Sequence, residues 1–379
     1  MSDNHDEKTY PEFDGLSGEE IRTRLSMLET LLKSDFDTRA GAETHEAIER
    51  GEPMPSTRDD MDDEENVREI PADFAVIAHR GWSGSYPENT LIGLREAIKI
   101  GCHSIEFDVA MTRDRRLIII HDDTLSRTTN AAGFVNEWEY RDLRKLDAGA
   151  WFHPKYAGAH LPSLDEVLLI SRGSGIGVNI EIKNQCWEEE FLDDGVEHQV
   201  VEAIHRYGVA DRVLISSFRW AFIDRINQID PGVSTALLHF KDVGKLNVAG
   251  LRRDYGLNAF NPSTMQLTQD FVNRCHDEGV KVYPFTVNSY VDMEKFLDMG
   301  VDGFFTNHPN RAFRFLEQHS RRLQELQRQE KREDVEDVDD AIKRLEREEM
   351  EKARKRARWR AKRHILETQK AKEQADARS

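Results

Sequence analysis

An α/β barrel of eight parallel strands, the (β/α)8 or TIM-barrel architecture, is the fold predicted by this sequence of 379 residues. Three observations predict it. Apolar β-type runs alternate with helical patterns through the middle of the chain, and such alternation implies a parallel sheet covered by helices. Eight runs of this kind occur, enough to close the sheet on itself. Hydrophobic residues concentrate between positions 74 and 310, a span of 237 residues, close to the roughly 250 such a barrel takes.

The expected strands are Phe74–His79, His103–Asp108, Gly177–Lys183, Val213–Phe218, Ser234–His239, Asn258–Asn261, Lys281–Val287 and Asp302–Thr306. Helices fit between them at about 89–100, 187–207, 219–229, 241–255, 268–279 and 289–299. The first has Asn89 as its expected cap, followed by Leu91, Leu94, Ala97 and Ile98 at helical spacing. After the second strand the chain turns through Thr112–Arg115 and returns as Leu117–Ile120, ending in His121 and Asp122. That turn is too short for a parallel crossover, so these two runs are expected to form an antiparallel hairpin. A turn centred near Asp114 sets His121 opposite Phe107. Residues 122–176, with Trp138, Trp151, Phe152 and Tyr156, break the alternation and, following His121, are expected over the barrel mouth.

The flanks differ from this middle. Residues 1–73 carry a net charge of −14 and read as an acidic appendage: an amphipathic helix at Leu16–Ser34, with Ser17 and Glu20 as a capping box, then a linker containing DDMDDEEN. Residues 311–379 carry +5 and read as one long charged helix without Pro or Gly, with a coiled-coil partner helix as the rival reading. The N-terminal helix is expected to pack on the barrel, with self-association or partner binding through it and the C-terminal helix as the rival reading. The basic run Lys352–Arg363 is a candidate for anionic lipid or nucleic acid. A formal net charge of −18 argues against general nucleic-acid binding by the whole chain. Cys102, Cys186 and Cys275 are spaced for neither a disulfide framework nor a zinc site. The N-terminus lacks a signal-peptide pattern, and no run approaches a membrane span, so a cytoplasmic protein is expected.

Active sites of such barrels sit at the C-terminal ends of the strands. His79 and Arg80 end the first expected strand. Glu106 and Asp108, two residues apart and therefore on one side, end the second. His121 returns beside them, and Glu181 and Lys183 end the run NIEIK. Three carboxylates meeting at one point repel unless a cation neutralises them, and oxygen-only ligands suit Mg²⁺ or Ca²⁺. Arg80 and Lys183 supply positive charge for a phosphate, and two histidines supply an acid and a base near neutral pH. The set fits phosphodiester cleavage: Glu106, Asp108 and Glu181 as metal ligands, His79 and His121 as catalysts. Glu88 and Asn89 are candidates to brace this group.

These residues sit in an ordered series of motifs: AHRG, PENT, IEFDV, IIIHDDTLSRTTN, LDAGAWFHPKYAGAHLPSLDEVL, NIEIK, FTVN and VDGFFTNHP. Over about residues 75–310 the series resembles the glycerophosphodiester phosphodiesterase family of PLC-like TIM barrels. The resemblance implies hydrolysis of a glycerophosphodiester to glycerol 3-phosphate and an alcohol. The sequence departs from many bacterial members at Phe285, where they have Trp, which bears on the outer, substrate-binding pocket. The competing readings are a lysophospholipase D-like enzyme acting on a lipid-like diester, and a barrel kept as a non-catalytic scaffold.

Overall fold

A computed structural model of the chain describes residues 68–328 and, beyond them, residues 347, 350 and 351, which are helical. The described residues fall into two units divided after Leu316. The first unit is the barrel. Its strands are β1 (Ala75–Ala78), β2 (Ser104–Met111), β3 (Leu117–Ile119), β4 (Gly177–Ile182), β5 (Val213–Ser217), β6 (Ser234–His239), β7 (Ala259–Pro262), β8 (Lys281–Val282) and β9 (Gly303–Thr306). All pair in parallel along the order β8-β7-β6-β5-β4-β2-β1-β9, except β3, which pairs antiparallel to β2 alone. The two ends of that path meet through Asp302 N to Val282 O at 3.1 Å, Phe305 N to Pro284 O at 3.0 Å and Val287 N to Phe305 O at 2.8 Å. The result is the expected (β/α)8 barrel.

Seven helices of eight residues or more alternate with these strands among the described residues: α1 (Leu91–Lys99), α2 (Leu164–Ser174), α3 (Val196–Tyr207), α4 (Trp220–Ile229), α5 (Val248–Tyr255), α6 (Gln269–Asp277) and α7 (Tyr290–Met299). Residues 309–328 are helical as well. The strands are buried on both faces, as a helix-covered parallel sheet must be. Phe107, Phe260, Phe271, Phe296 and Phe304 are among the side chains fully enclosed between sheet and helices. All three cysteines are buried free thiols, each pushed up to about 12 by that burial.

Several boundaries differ from the expected ones, each for a local reason. The regular part of the Lys281–Val287 run stops at Val282, because Pro284 has no N–H for the ladder. Helix α3 starts at Val196 rather than 187. Residues 187–195 form a loop held by Arg115 on Glu188 and Asp194, and by Arg225 on the carbonyls of Glu188 and Glu189. Helix α5 starts at Val248, where Asn247 accepts from Gly250 N. Asn89 does not cap α1; Thr90 does, and Asn89 instead reaches Asp108.

The span 122–176 is divided. Its last part is α2, an ordinary barrel helix with a Ser163–Glu166 capping box. Its earlier part rests on the loop after β1, through Tyr156 Oη to Ser85 O at 3.3 Å and ring contacts among Trp82, Tyr86, Tyr156, Phe152 and Trp151. The helix expected at Leu16–Ser34 and the basic run Lys352–Arg363 lie outside the described residues.

Candidate active site

The hairpin register is the one the turn implies. Val109 pairs with Ile119, Met111 with Leu117, and Ile120 N donates to Asp108 O at 3.0 Å, so the ladder points His121 at the level of Phe107. Strand β2 therefore runs past Asp108 to Met111, and the two carboxylates lie where the hairpin departs from the barrel rather than at the strand's end. In the next strand Asp108 pairs with Glu181 and Glu106 with Asn179. Ligand oxygens of Glu106, Asp108 and Glu181 lie within 4.8 Å of one another, all three residues buried.

Two cations face this triad. Lys183 Nζ is 2.7 Å from Glu181 Oε1 and 3.3 Å from Asp108 Oδ1, and Arg80 Nε is 3.4 Å from Asp108 Oδ2. The Arg80 backbone adopts a left-handed φ of 56°, uncommon for a residue with a side chain. This turn aims the Arg80 N–H at Glu106 Oε2, 2.7 Å away. Gly81 next to it needs to be glycine, since a Cβ there would stand 2.6 Å from the Gly93 carbonyl carbon of α1. Asn89, also at positive φ (53°), donates Nδ2–H to Asp108 Oδ2 at 2.8 Å. Glu88 accepts from Arg80 Nη1 at 3.0 Å.

The electrostatics show a site short of positive charge. Burial, with the charges of Asp108 and Glu181, pushes Glu106 well up. Burial and Asp108 push Glu181 up to about 6 despite Lys183 beside it. Burial alone would raise Asp108 too, but Lys183 and Arg80 outweigh it and hold this carboxyl well below the usual range. Glu106 Oε1 and Asp108 Oδ1 are buried without a hydrogen-bond partner; the Lys183 contact to Oδ1 is an ion pair without hydrogen-bond alignment. Converging carboxylates with unpartnered oxygens are what a hard divalent cation would occupy, so the residues fit one.

Both histidines adjoin this group. His79 Nδ1 pairs with Asn307 Oδ1 at 2.7 Å, an oxygen that also accepts from Ser83 Oγ, so Nδ1 carries the hydrogen and Nε2 is bare, 4.0 Å from Glu106 Oε2. Burial, followed by the Arg80 charge, lowers His79 to about 4. His121 Nδ1 pairs with Asp122 Oδ1 at 2.7 Å, again leaving Nε2 for the site. Burial also lowers His121, against the pull of Asp108. Asp122 is held low, at about 2, first by its hydrogen bonds from Arg127.

The structure thus brings together His79, Arg80, Glu106, Asp108, Glu181 and Lys183, with His121 beside them and Glu88 and Asn89 bonded to members of the group. Phe285 stands apart. It packs edge-on against Phe218 at 5.6 Å, and Phe218 meets Phe240 at 5.6 Å. Sequence reasoning did not single out Asn307, Asp122 or Arg127. All three lie inside quoted motifs; for Asp122 and Asn307 the available signal was a carboxylate or amide next to a histidine in sequence or in barrel order.

Comparison with known proteins matches residues 79–311 to the model of the glycerophosphoryl diester phosphodiesterase family. A glycerophosphodiester phosphodiesterase of Caldanaerobacter subterraneus subsp. tengcongensis is 37% identical over 244 residues, covering 64% of this chain and 98% of that one. One from Bacillus altitudinis is 34% identical over 246 residues, with the same coverage. Among solved structures, an Oleispira antarctica phosphodiesterase in complex with the product sn-glycerol-3-phosphate is 27% identical with a TM-score of 0.59, covering 64% of this chain and 96% of its own. A glycerophosphodiester phosphodiesterase from Parabacteroides distasonis is 25% identical with a TM-score of 0.56, covering 65% and 98%. The chain belongs to the glycerophosphoryl diester phosphodiesterase family and is a phosphoric diester hydrolase.

Proposed function

We propose that the protein hydrolyses glycerophosphodiesters to glycerol 3-phosphate and an alcohol, by acid–base catalysis between His79 and His121 and with a divalent cation. The observation that carries this is the buried triad Glu106, Asp108 and Glu181 beside two imidazoles whose Nδ1 atoms are both engaged. Arg80 and Lys183 hold the phosphate, which their five- and three-donor heads suit. His79, neutral and bare at Nε2, takes the proton of the attacking water or hydroxyl. His121, whose imidazolium the Asp122 carboxylate favours, gives its proton to the leaving oxygen. A cation on the triad, Mg²⁺ or Ca²⁺ by its all-oxygen ligands, would offset charge growing on the phosphoryl oxygens. The Oleispira structure, with sn-glycerol-3-phosphate as product, supports the glycerol side of the substrate.

A second reading concerns the leaving alcohol. Phe218, Phe240 and Phe285 form a connected aromatic wall where β5, β6 and β8 open into the mouth, and Phe240 is 57% exposed. Exposed Met265 follows β7 in the same row. Such a wall favours an alcohol that carries a hydrocarbon tail, as in a lipid-like diester. The experiment is release of glycerol 3-phosphate from diesters of short polar and long-chain alcohols, with and without chelator. Release that stops with chelator and returns with Mg²⁺ or Ca²⁺ is expected. Full activity in thoroughly chelated enzyme would sink the cation reading.

A further inference from the structure

Arg127 lies outside the phosphate and cation group, yet it joins two parts of it. Its Nε and Nη2 donate to Asp122 Oδ2 and Oδ1 at 2.6 and 3.0 Å. Its Nη1 and Nη2 donate to Glu88 Oε2 and Oε1 at 2.8 and 2.7 Å. One guanidinium therefore grips two carboxylates bidentately. One oxygen of each carboxylate also faces inward. Asp122 Oδ1 is the partner of His121 Nδ1, and Glu88 Oε1 is the partner of Arg80 Nη1. A continuous line of contacts at 3.0 Å or less runs His121, Asp122, Arg127, Glu88, Arg80.

We propose that Arg127 is a positioning residue that ties the orientation of the His121 imidazole to that of the Arg80 guanidinium. Without it, Asp122 and Glu88 each keep a single partner and can rotate about their side-chain bonds. His121 then loses its fixed tautomer and ring plane, and Arg80 loses one of the carboxylates that aim it at the phosphate. Only arginine has the flat, forked donor set for two bidentate grips; lysine is a point charge that can satisfy one at a time. A plain surface ion pair is the rival account, since the Arg127 side chain is 41% exposed and exposed pairs contribute little. That rival predicts no kinetic effect at all.

The inference rests on the catalytic reading above, and its test has two arms that separate them. In the first, kinetics of Arg127→Ala, Asp122→Asn and Glu88→Gln, singly and in pairs, are measured on an alkyl and a 4-nitrophenyl diester of glycerol 3-phosphate. Arg127→Ala is expected to lower kcat on the alkyl diester about 10–100-fold, the usual cost of removing such a supporting partner. The loss on the nitrophenyl diester should be smaller, because that alcohol leaves without an acid. KM should rise on both diesters through Arg80. With Arg127→Ala added, Asp122→Asn should lose no more kcat than Asp122→Asn alone, Glu88→Gln should lose no more in KM than Glu88→Gln alone, and Arg127→Lys should recover only one of the two effects. Equal losses on both diesters, or fully additive double mutants, would overturn the coupling. The second arm is ¹⁵N NMR of the His121 ring in the full chain, independent of turnover. Protonated Nδ1 in the parent and mixed tautomers in Arg127→Ala support the proposal; an unchanged ring overturns it. A parent enzyme that releases no glycerol 3-phosphate contradicts the substrate reading, while the ring spectrum still decides the coupling.

Discussion

Strands β1, β2 and β4 open into ionisable side chains: His79 and Arg80, Glu106 and Asp108, Glu181 and Lys183. Strands β5 to β8 open into Phe218, Phe240, Met265 and Phe285, with no carboxylate among those four positions. Both halves stand at the same end of one barrel, yet they are built on different principles. In the polar half most side chains are aimed by hydrogen bonds, from Asn89 on Asp108 to Asn307 on His79, while Glu106 Oε1 and Asp108 Oδ1 are left unpartnered. In the aromatic half Phe218 meets Phe240 and Phe285 ring to ring, at 5.6 Å. A charge-bearing site must be exact, because a buried charge off its partner is costly. An apolar wall tolerates substitution of shape, since area and not angle sets its contribution. Chemistry is therefore expected to fail with single atoms in the first half, and substrate preference to drift gradually with changes in the second.

The largest effect expected is in the polar half. His79→Ala should lower the rate about 10²–10⁴-fold, which corresponds to about 2.7–5.4 kcal/mol of barrier. Because His79 serves the attacking group, the loss should be alike on alkyl and nitrophenyl diesters. His121→Ala should lose as much on the alkyl diester and recover on the nitrophenyl one. Measuring kcat for both variants on both substrates checks the assignment, and the reverse pattern would exchange the two roles.

The unequal legibility of the two halves has the same physical origin. The polar half was readable because strand alternation and one short turn fix side-chain directions: Glu106 and Asp108 share a side, and the turn at Asp114 carries His121 back to them. Partners brought in by three-dimensional closure were not readable. Asn307 follows the last barrel strand and meets His79 only because β9 pairs with β1. Asn89, by contrast, was read both as a helix cap and as a brace of the site; Thr90 takes the cap and Asn89 bonds Asp108. The aromatic half was half-seen through Phe285 alone. Phe218 and Phe240 are single residues at strand ends, with no periodicity to distinguish them from core. Likewise α2 was hidden among aromatic loop residues, although its Ser163–Glu166 capping box stands in the sequence.

A cation should sharpen the contrast at the level of stability. Glu181 is raised to about 6 in the fold, above its ordinary value, and Glu106 is raised too. Groups of this kind favour the fold fully below their unfolded pKa and lose that contribution as pH rises through the folded one. The metal-free protein should therefore lose stability from Glu181 between about pH 4.5 and 6, and Glu106 adds a loss in the same direction. A divalent cation replaces the missing protons, so the Tm increment on adding Mg²⁺ or Ca²⁺ should be larger at pH 8 than at pH 5. At 100-fold excess over Kd the increment corresponds to about 2.7 kcal/mol. Asp122 and Glu166, both held at about 2, are already ionised at either pH and leave the difference untouched. Glu181→Gln should shrink the increment, and Phe240→Ala should not. Thermal unfolding of the three proteins with and without cation measures this; an increment independent of pH would mean that the triad is not where the cation binds.

The smallest effect belongs to the aromatic half, and it tests whether that half is a substrate surface at all. Phe240 is 57% exposed and touches Phe218 and, at 5.9 Å, the Lys241 ammonium. Replacing it by Ala removes little buried area, so stability should stay within about 0.5 kcal/mol of the parent, as surface changes do. Phe271, on α6 and fully buried against Phe260, is the control, since Phe271→Ala should cost about 3–5 kcal/mol. If the wall seats a hydrocarbon tail, Phe240→Ala should lower kcat/KM for a long-chain diester about 10-fold, the scale of one or two methylenes of contact. It should leave a short polar diester unaffected. Phe285→Ala should behave alike, with a larger effect because its ring is half-buried against Phe218. Equal activity of both variants on the long-chain diester would remove the wall from substrate binding. An equal loss on short and long diesters would instead place Phe240 and Phe285 against the glycerol phosphate itself, and the division of the mouth into a chemical half and a selective half would have to be redrawn.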